Sequence, residues 1–155
     1  MPDLPAVQSE RRTGPLLDHL ARRMRLRAKS VLEPFGLRPR HLIALTALRD
    51  AGGISQQGLA STLQIDSTNV VGLLNDLEAA QLVERRRSPE DRRRHMVYIT
   101  EAGANRLNDA ECALETSEVE VLGALNPDER ETLYELLRRA THGGWHITCT
   151  VGEDD

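Results

Sequence analysis

Aromatic side chains are scarce. Phe, Trp and Tyr together make up 3% of the 155 residues, too few for the stacking platforms that hold single-stranded nucleic acid. Cysteine is as sparing: Cys112 and Cys149 make no disulfide framework. Apolar runs are short and interrupted by charge, so none reaches the roughly 20 residues of a membrane-spanning helix. The opening MPDLPAVQSERRTGP has neither the apolar centre nor the cleavage pattern of a signal peptide. Glycine-rich phosphate loops, Ser-His-Asp or Cys-His arrangements and compact metal motifs are missing, and Gly52-Gly53-Ile54 is too short to count as one. His142, His146 and Cys149 are close in sequence, but Gly143-Gly144 breaks any helix that would align them as metal ligands. These absences predict a soluble, cytoplasmic protein that is not an enzyme and carries no cofactor or metal.

What is present is an ordinary globular composition, 39% hydrophobic and 28% charged, in a chain long enough for one domain with its own core. The formal net charge of −4 is unevenly spread: residues 1–100 sum to +5 and residues 101–155 to −9. A basic front draws in a polyanion even when the whole chain is acidic. The charge is densest in LVERRRSPEDRRRHMVYIT, where Arg85, Arg86, Arg87, Arg92, Arg93 and Arg94 flank Ser88 to Asp91. Apolar residues bracket this stretch as they would in two strands, so it reads as a cationic β-hairpin rather than a loose tail.

Helical spacing places the remaining elements. Leu16, Leu17, Leu20, Met24, Ala28, Val31 and Leu32 form one stripe that Pro34 stops. A second helix fits about 39–50, ending at Gly52-Gly53. Ser55 caps a short third helix, and Asp66 or Ser67 caps a fourth with Val70, Leu73, Leu74 and Leu77 on one face. Two short helices joined by a tight turn make a helix-turn-helix. After the hairpin, Thr100 caps a long helix over about 101–125. Asn126-Pro127-Asp128-Glu129 then starts a last helix running to about His142.

The segments SQQGLASTLQID, NVVGLLNDLEAAQLV and SPEDRRRHMVYITEAG resemble the multiple-antibiotic-resistance repressor (MarR) family of winged helix-turn-helix regulators, over about residues 36–104. The last is the most specific, with Asp91, Arg93 two positions on, and Thr100-x-x-Gly103. The resemblance implies a mainly α fold: a winged helix-turn-helix at 36–100 with a two-stranded β-wing, and dimerisation helices at 15–33 and 101–142. Residues 1–14 and 143–155 are expected as tails, the second pinned by Trp145 and Ile147. A helix presented this way fits the major groove of double-stranded DNA. On the face of the fourth helix away from the core, Asn69 and Asn75 are placed for base edges and Val71 for a thymine methyl. Ser67 and Thr68 suit phosphates near the helix N-terminus. Resemblance points to Arg93 as the wing residue that enters the minor groove, with Asp91 orienting its neighbourhood. Arg85, Arg86, Arg87, Arg92 and Arg94 would chiefly meet phosphates. Many family members carry a polar residue and an arginine where this chain has Val71 and Gly72, and Gly72 reaches no base.

The apolar stripes at 16–32, 107–125 and 133–140 exceed what a small winged module covers, which predicts a homodimer on a pseudo-palindromic operator. The resemblance further implies a repressor released by a small, aromatic or phenolic, anionic effector. The candidates to hold it are His19, Arg23, Arg27 and His41. Two alternatives stand beside this reading: a winged-helix module for protein partners, and redox sensing through Cys149 or Cys112. Of the two thiols, Cys112 is expected to be buried and inert.

Overall fold

The computed structural model of the protein describes residues 11–141. Residues 1–10 and 142–155, among them Cys149, the His142/His146 pair and the expected Trp145/Ile147 anchor, lie outside the described residues. The elements follow in the order α1 (Thr13–Leu32), α2 (Pro39–Ala51), β1 (Ile54–Ser55), α3 (Gln56–Leu63), α4 (Ser67–Ala79), β2 (Val83–Arg87), β3 (His95–Ile99), α5 (Glu101–Val121) and α6 (Pro127–Ala140). A short 3-10 turn at Glu33–Phe35 separates α1 from α2. Among the described residues no helix is long and apolar enough to cross a membrane.

Four of the helices begin where a side chain accepts an orphan amide. Ser55 caps α3 through Gly58 N–H, Asp66 caps α4 through Asn69 N–H, and Thr100 caps α5 through Gly103 N–H. Asn126 and Glu129 form a reciprocal capping box on α6. At α2 only one half of such a box forms, through a histidine: His41 Nδ1 accepts the Arg38 N–H at 3.1 Å. The α4 cap is therefore Asp66, and Ser67 is the first helical residue.

The core is aliphatic. Leu45 and Leu48 of α2, Leu59 of α3, Leu74 and Leu77 of α4, and Leu107 of α5 are completely or almost completely buried around Val83 and Val97 of the sheet. The sheet has three strands in the order β1-β3-β2, all antiparallel. The expected two-stranded wing thus gains a third strand, Ile54–Ser55, which pairs with Val97 and Met96. Two residues are too few to show a period of two in sequence. Gly53, at φ +125°, admits this strand: a Cβ there would overlap the ring of Tyr98.

A second close approach explains the Thr-x-x-Gly pattern. Thr100 N–H donates to the Leu82 carbonyl at 3.0 Å and Thr100 Oγ1 donates to the Gln81 carbonyl at 2.7 Å. A Cβ on Gly103 would collide with the same Leu82 carbonyl oxygen. The start of α5 is thereby set against the corner that follows α4.

The outer helices are less enclosed. α6 buries none of its residues, and Tyr134 and Leu136 are 62% and 53% exposed. On α1 only Leu32 is buried, whereas Leu16 is 70% and Leu26 66% exposed.

Candidate nucleic-acid interface

Burial of Val70, Leu73, Leu74 and Leu77 turns the opposite side of α4 to solvent. That side carries Ser67, Thr68, Asn69, Val71, Gly72 and Asn75, all exposed. The structure thus brings together every sequence-derived candidate on this helix. Asn69 is partly engaged, since its Nδ2 donates to Asp66 Oδ2 at 3.1 Å. Val71 is 37% exposed, an apolar patch among polar neighbours.

The wing tip is a turn stapled by its own backbone. Ser88 N–H donates to the Arg94 carbonyl at 2.8 Å, and Arg94 N–H donates to the Asp91 carbonyl at 3.0 Å. Asp91 Oδ1 accepts the Arg93 N–H at 3.0 Å, so Asp91 fixes the backbone of Arg93. Its nearest guanidinium belongs to Arg94, at 3.8 Å. Asp91 therefore shapes the turn and leaves the Arg93 head free of an ion pair among the described residues.

The six arginines occupy distinct environments, and along β2 the alternating faces of the strand separate Arg85 from Arg86. Arg85 shares the inward face of β2 with buried Val83 and turns toward α4. Its Nε donates to Glu78 Oε2 at 2.7 Å and its Nη2 to Asn75 Oδ1 at 2.6 Å. Arg85, expected chiefly to meet phosphate, has two of its five N–H donors engaged on α4. Arg86 lies on the other face, paired with Glu84 and centred 5.0 Å over the Tyr98 ring, a cation–π arrangement. Arg87, Arg92 and Arg93 are exposed and form no ion pair among the described residues.

Between the tip end of the wing and the N-terminal ends of α3 and α4 lies an open cleft of about 330 Å³. Arg93, Arg94 and Ser67 line it together with Gln56, Gln57 and His95. Those last three residues escaped the sequence reading. The signal that marks them is position: Gln56-Gln57 directly follows the Ser55 cap, and His95 directly follows the second arginine run.

The effector candidates are not gathered in the same way. His19, Arg23 and Arg27 follow one exposed stripe of α1. Arg27 is paired with Glu120 of α5 at 2.6 Å. His41 is buried in α2, its Nε2 3.7 Å from Asp76 Oδ2 of α4. Burial depresses the His41 pKa, and Asp76 opposes that shift only in part. Cys112 is exposed rather than buried: it lies beside the apolar stripe of α5, not on it.

The family model described as "MarR family" matches residues 35–94. The chain is 33% identical over 126 residues, 78% of its own length and 79% of the relative's, to the HTH-type transcriptional repressor NicR of Pseudomonas putida. Its fold superposes on wild-type apo MarR from E. coli with a TM-score of 0.75 at 24% identity, covering 83% of this chain and 96% of that one. It also superposes on BpsR of Bordetella bronchiseptica, a protein whose DNA binding is regulated by 6-hydroxynicotinic acid. There the TM-score is 0.66 at 27% identity, covering 84% of this chain and 94% of that one. An exposed recognition helix, an arginine-rich wing and this extent of identity place the chain in the MarR family of DNA-binding, winged-helix transcriptional regulators.

Proposed function

We propose that the protein is a homodimeric repressor that grips a pseudo-palindromic operator with two copies of α4 and two wings, and lets go when a small aromatic anion binds. The observation that carries the reading is the pairing of one exposed polar helix face with a stapled turn whose Arg87, Arg92 and Arg93 heads are unpaired among the described residues. Such guanidinium groups enter a narrow minor groove or meet phosphates, while α4 lies in the adjacent major groove. Ser67 and Thr68 serve phosphate, and Asn69, Val71 and Asn75 serve base edges. Arg93 is the minor-groove residue, and Asp91 sets the backbone that presents it.

Two-fold pairing is supported by the uncovered apolar side chains of α1 and α6, since a lone soluble chain seldom leaves so many large ones in water. For the effector, BpsR offers the chemical class: its regulator is an aromatic acid. His19 and Arg23, exposed on α1, are the free candidates to meet such a carboxylate. Arg27 and His41 would first have to leave Glu120 and the Arg38 amide.

A gel shift with the duplex upstream of the protein's own coding sequence tests the core of this reading. A complex that weakens steeply with added salt is expected, because each phosphate contact releases condensed counterions. No complex at low ionic strength would overturn it. A thermal-shift screen of aromatic acids tests release, since a ligand of the native state raises its melting point.

A further inference from the structure

Arg85 ties the wing to the recognition helix in a way that constrains what that helix can read. Asn75 and Glu78 stand three residues apart on α4 and therefore share a face. Arg85 reaches both, giving Nε to the Glu78 carboxylate at 2.7 Å and Nη2 to Asn75 Oδ1 at 2.6 Å. A guanidinium has five N–H donors and no acceptor. The end of the Asn75 amide that meets it must therefore be the carbonyl oxygen, whichever way the group would otherwise turn. Asn75 itself is exposed, and its NH2 group has no partner among the described residues.

We propose that Arg85, anchored by Glu78, locks the Asn75 carboxamide as a donor-only group, so that Asn75 selects a guanine edge in the major groove and disfavours adenine. This rests on the reading above that α4 enters that groove. An asparagine that reads adenine must accept from N6 and donate to N7 with the same amide. Here the oxygen is already held by a cation, whose charge repels a second donor hydrogen approaching it. Guanine presents two acceptors, O6 and N7, and no donor on that edge, which matches two outward N–H groups. Arg85 is in this sense a positioning residue: it need not touch DNA to alter which base is preferred.

The test is selection of bound duplexes from a randomised library by the wild type and by Asn75→Ala, Arg85→Lys, Arg85→Ala and Glu78→Ala. The wild type is expected to enrich guanine at one position in each half-site, and Asn75→Ala to lose about tenfold of that preference, within the usual value of one two-point base contact. Arg85→Ala frees the amide to turn, and adenine should then be bound within about twofold of guanine at that position. Arg85→Lys keeps a cationic donor beside the oxygen and should rescue the guanine preference. An unaltered guanine preference in Arg85→Ala, or an unaltered preference at every position in Asn75→Ala, would overturn the inference. If Arg85→Ala fails to fold in a circular-dichroism melt, Glu78→Ala decides the matter, because it removes the anchor and leaves the strand intact; retention of the full guanine preference there overturns it equally. A wild type that enriches no duplex removes the operator reading itself. A wild type that enriches a palindrome on which Asn75 has no effect removes only the inference about Arg85.

Discussion

At the scale of single residues, the wing shows that six arginines of one composition need not do one job. Arg93 is exposed, its backbone fixed by Asp91. Arg93→Ala is expected to weaken operator binding, measured by fluorescence anisotropy, with the sedimentation profile unchanged. Equal affinity would take the wing tip out of the mechanism. Gly103 is the counterpart for stability. A Cβ there meets a backbone oxygen that cannot swing aside, so Gly103→Ala should cost about 1–3 kcal/mol, the range for overpacking a tight site. A shift in the urea midpoint checks it. The arginine cluster, the helix caps and the Thr-x-x-Gly spacing were legible in the sequence because each is a local pattern. The inward turn of Arg85 was not. It depends on which face of β2 is buried, and hence on a sheet register that no local pattern carries.

At the scale of elements, helix positions followed from spacing and caps, and the differences lie at ends and in one short strand. β1 was invisible because two residues are too few to show a strand pattern, and their place in the sheet comes from pairing with β3 beside Gly53. The accessibility of Cys112 was missed because it borders the apolar stripe of α5, and a shift of one residue around a helix moves a side chain by about a quarter of a turn. The start of α2 carries a pH dependence. His41 Nδ1 accepts a backbone amide, so only the neutral ring can cap, and burial lowers its pKa below the ordinary 6.5. Protons then bind the unfolded chain more readily than the native one. The stabilisation is complete above about pH 6.5 and is lost as pH falls from there through the lowered native value. Urea melts at pH 7.5 and pH 5 should show this loss, and His41→Gln, which keeps an acceptor at the capping position, should show less of it. Identical slopes for the two proteins would place the dependence elsewhere.

At the scale of the whole molecule, the winged module encloses its own core while α1 and α6 leave large side chains in water. That imbalance was readable in the sequence as more apolar stripe than a small domain can cover; what covers it was not, because a stripe does not name its partner. Sedimentation equilibrium is expected to give twice the 17.3 kDa chain mass. Replacing Leu136 and Tyr134 together by Asp should yield monomers whose operator affinity falls by more than tenfold, since one recognition helix reads few base pairs. A wild-type chain that stays single at micromolar concentration would contradict the paired reading.

The junction of Thr100, Gly103 and the Leu82 carbonyl has a mechanical consequence. Two hydrogen bonds and a side-chain-free contact weld the foot of the long helix α5 to the corner at the end of α4. Such a joint has no slack to absorb a displacement. In the proposed dimer on its operator, a tilt of α5 would therefore carry α4 and the wing with it as one solid arm, and the span across the duplex would change by pivoting whole modules rather than by bending any one of them.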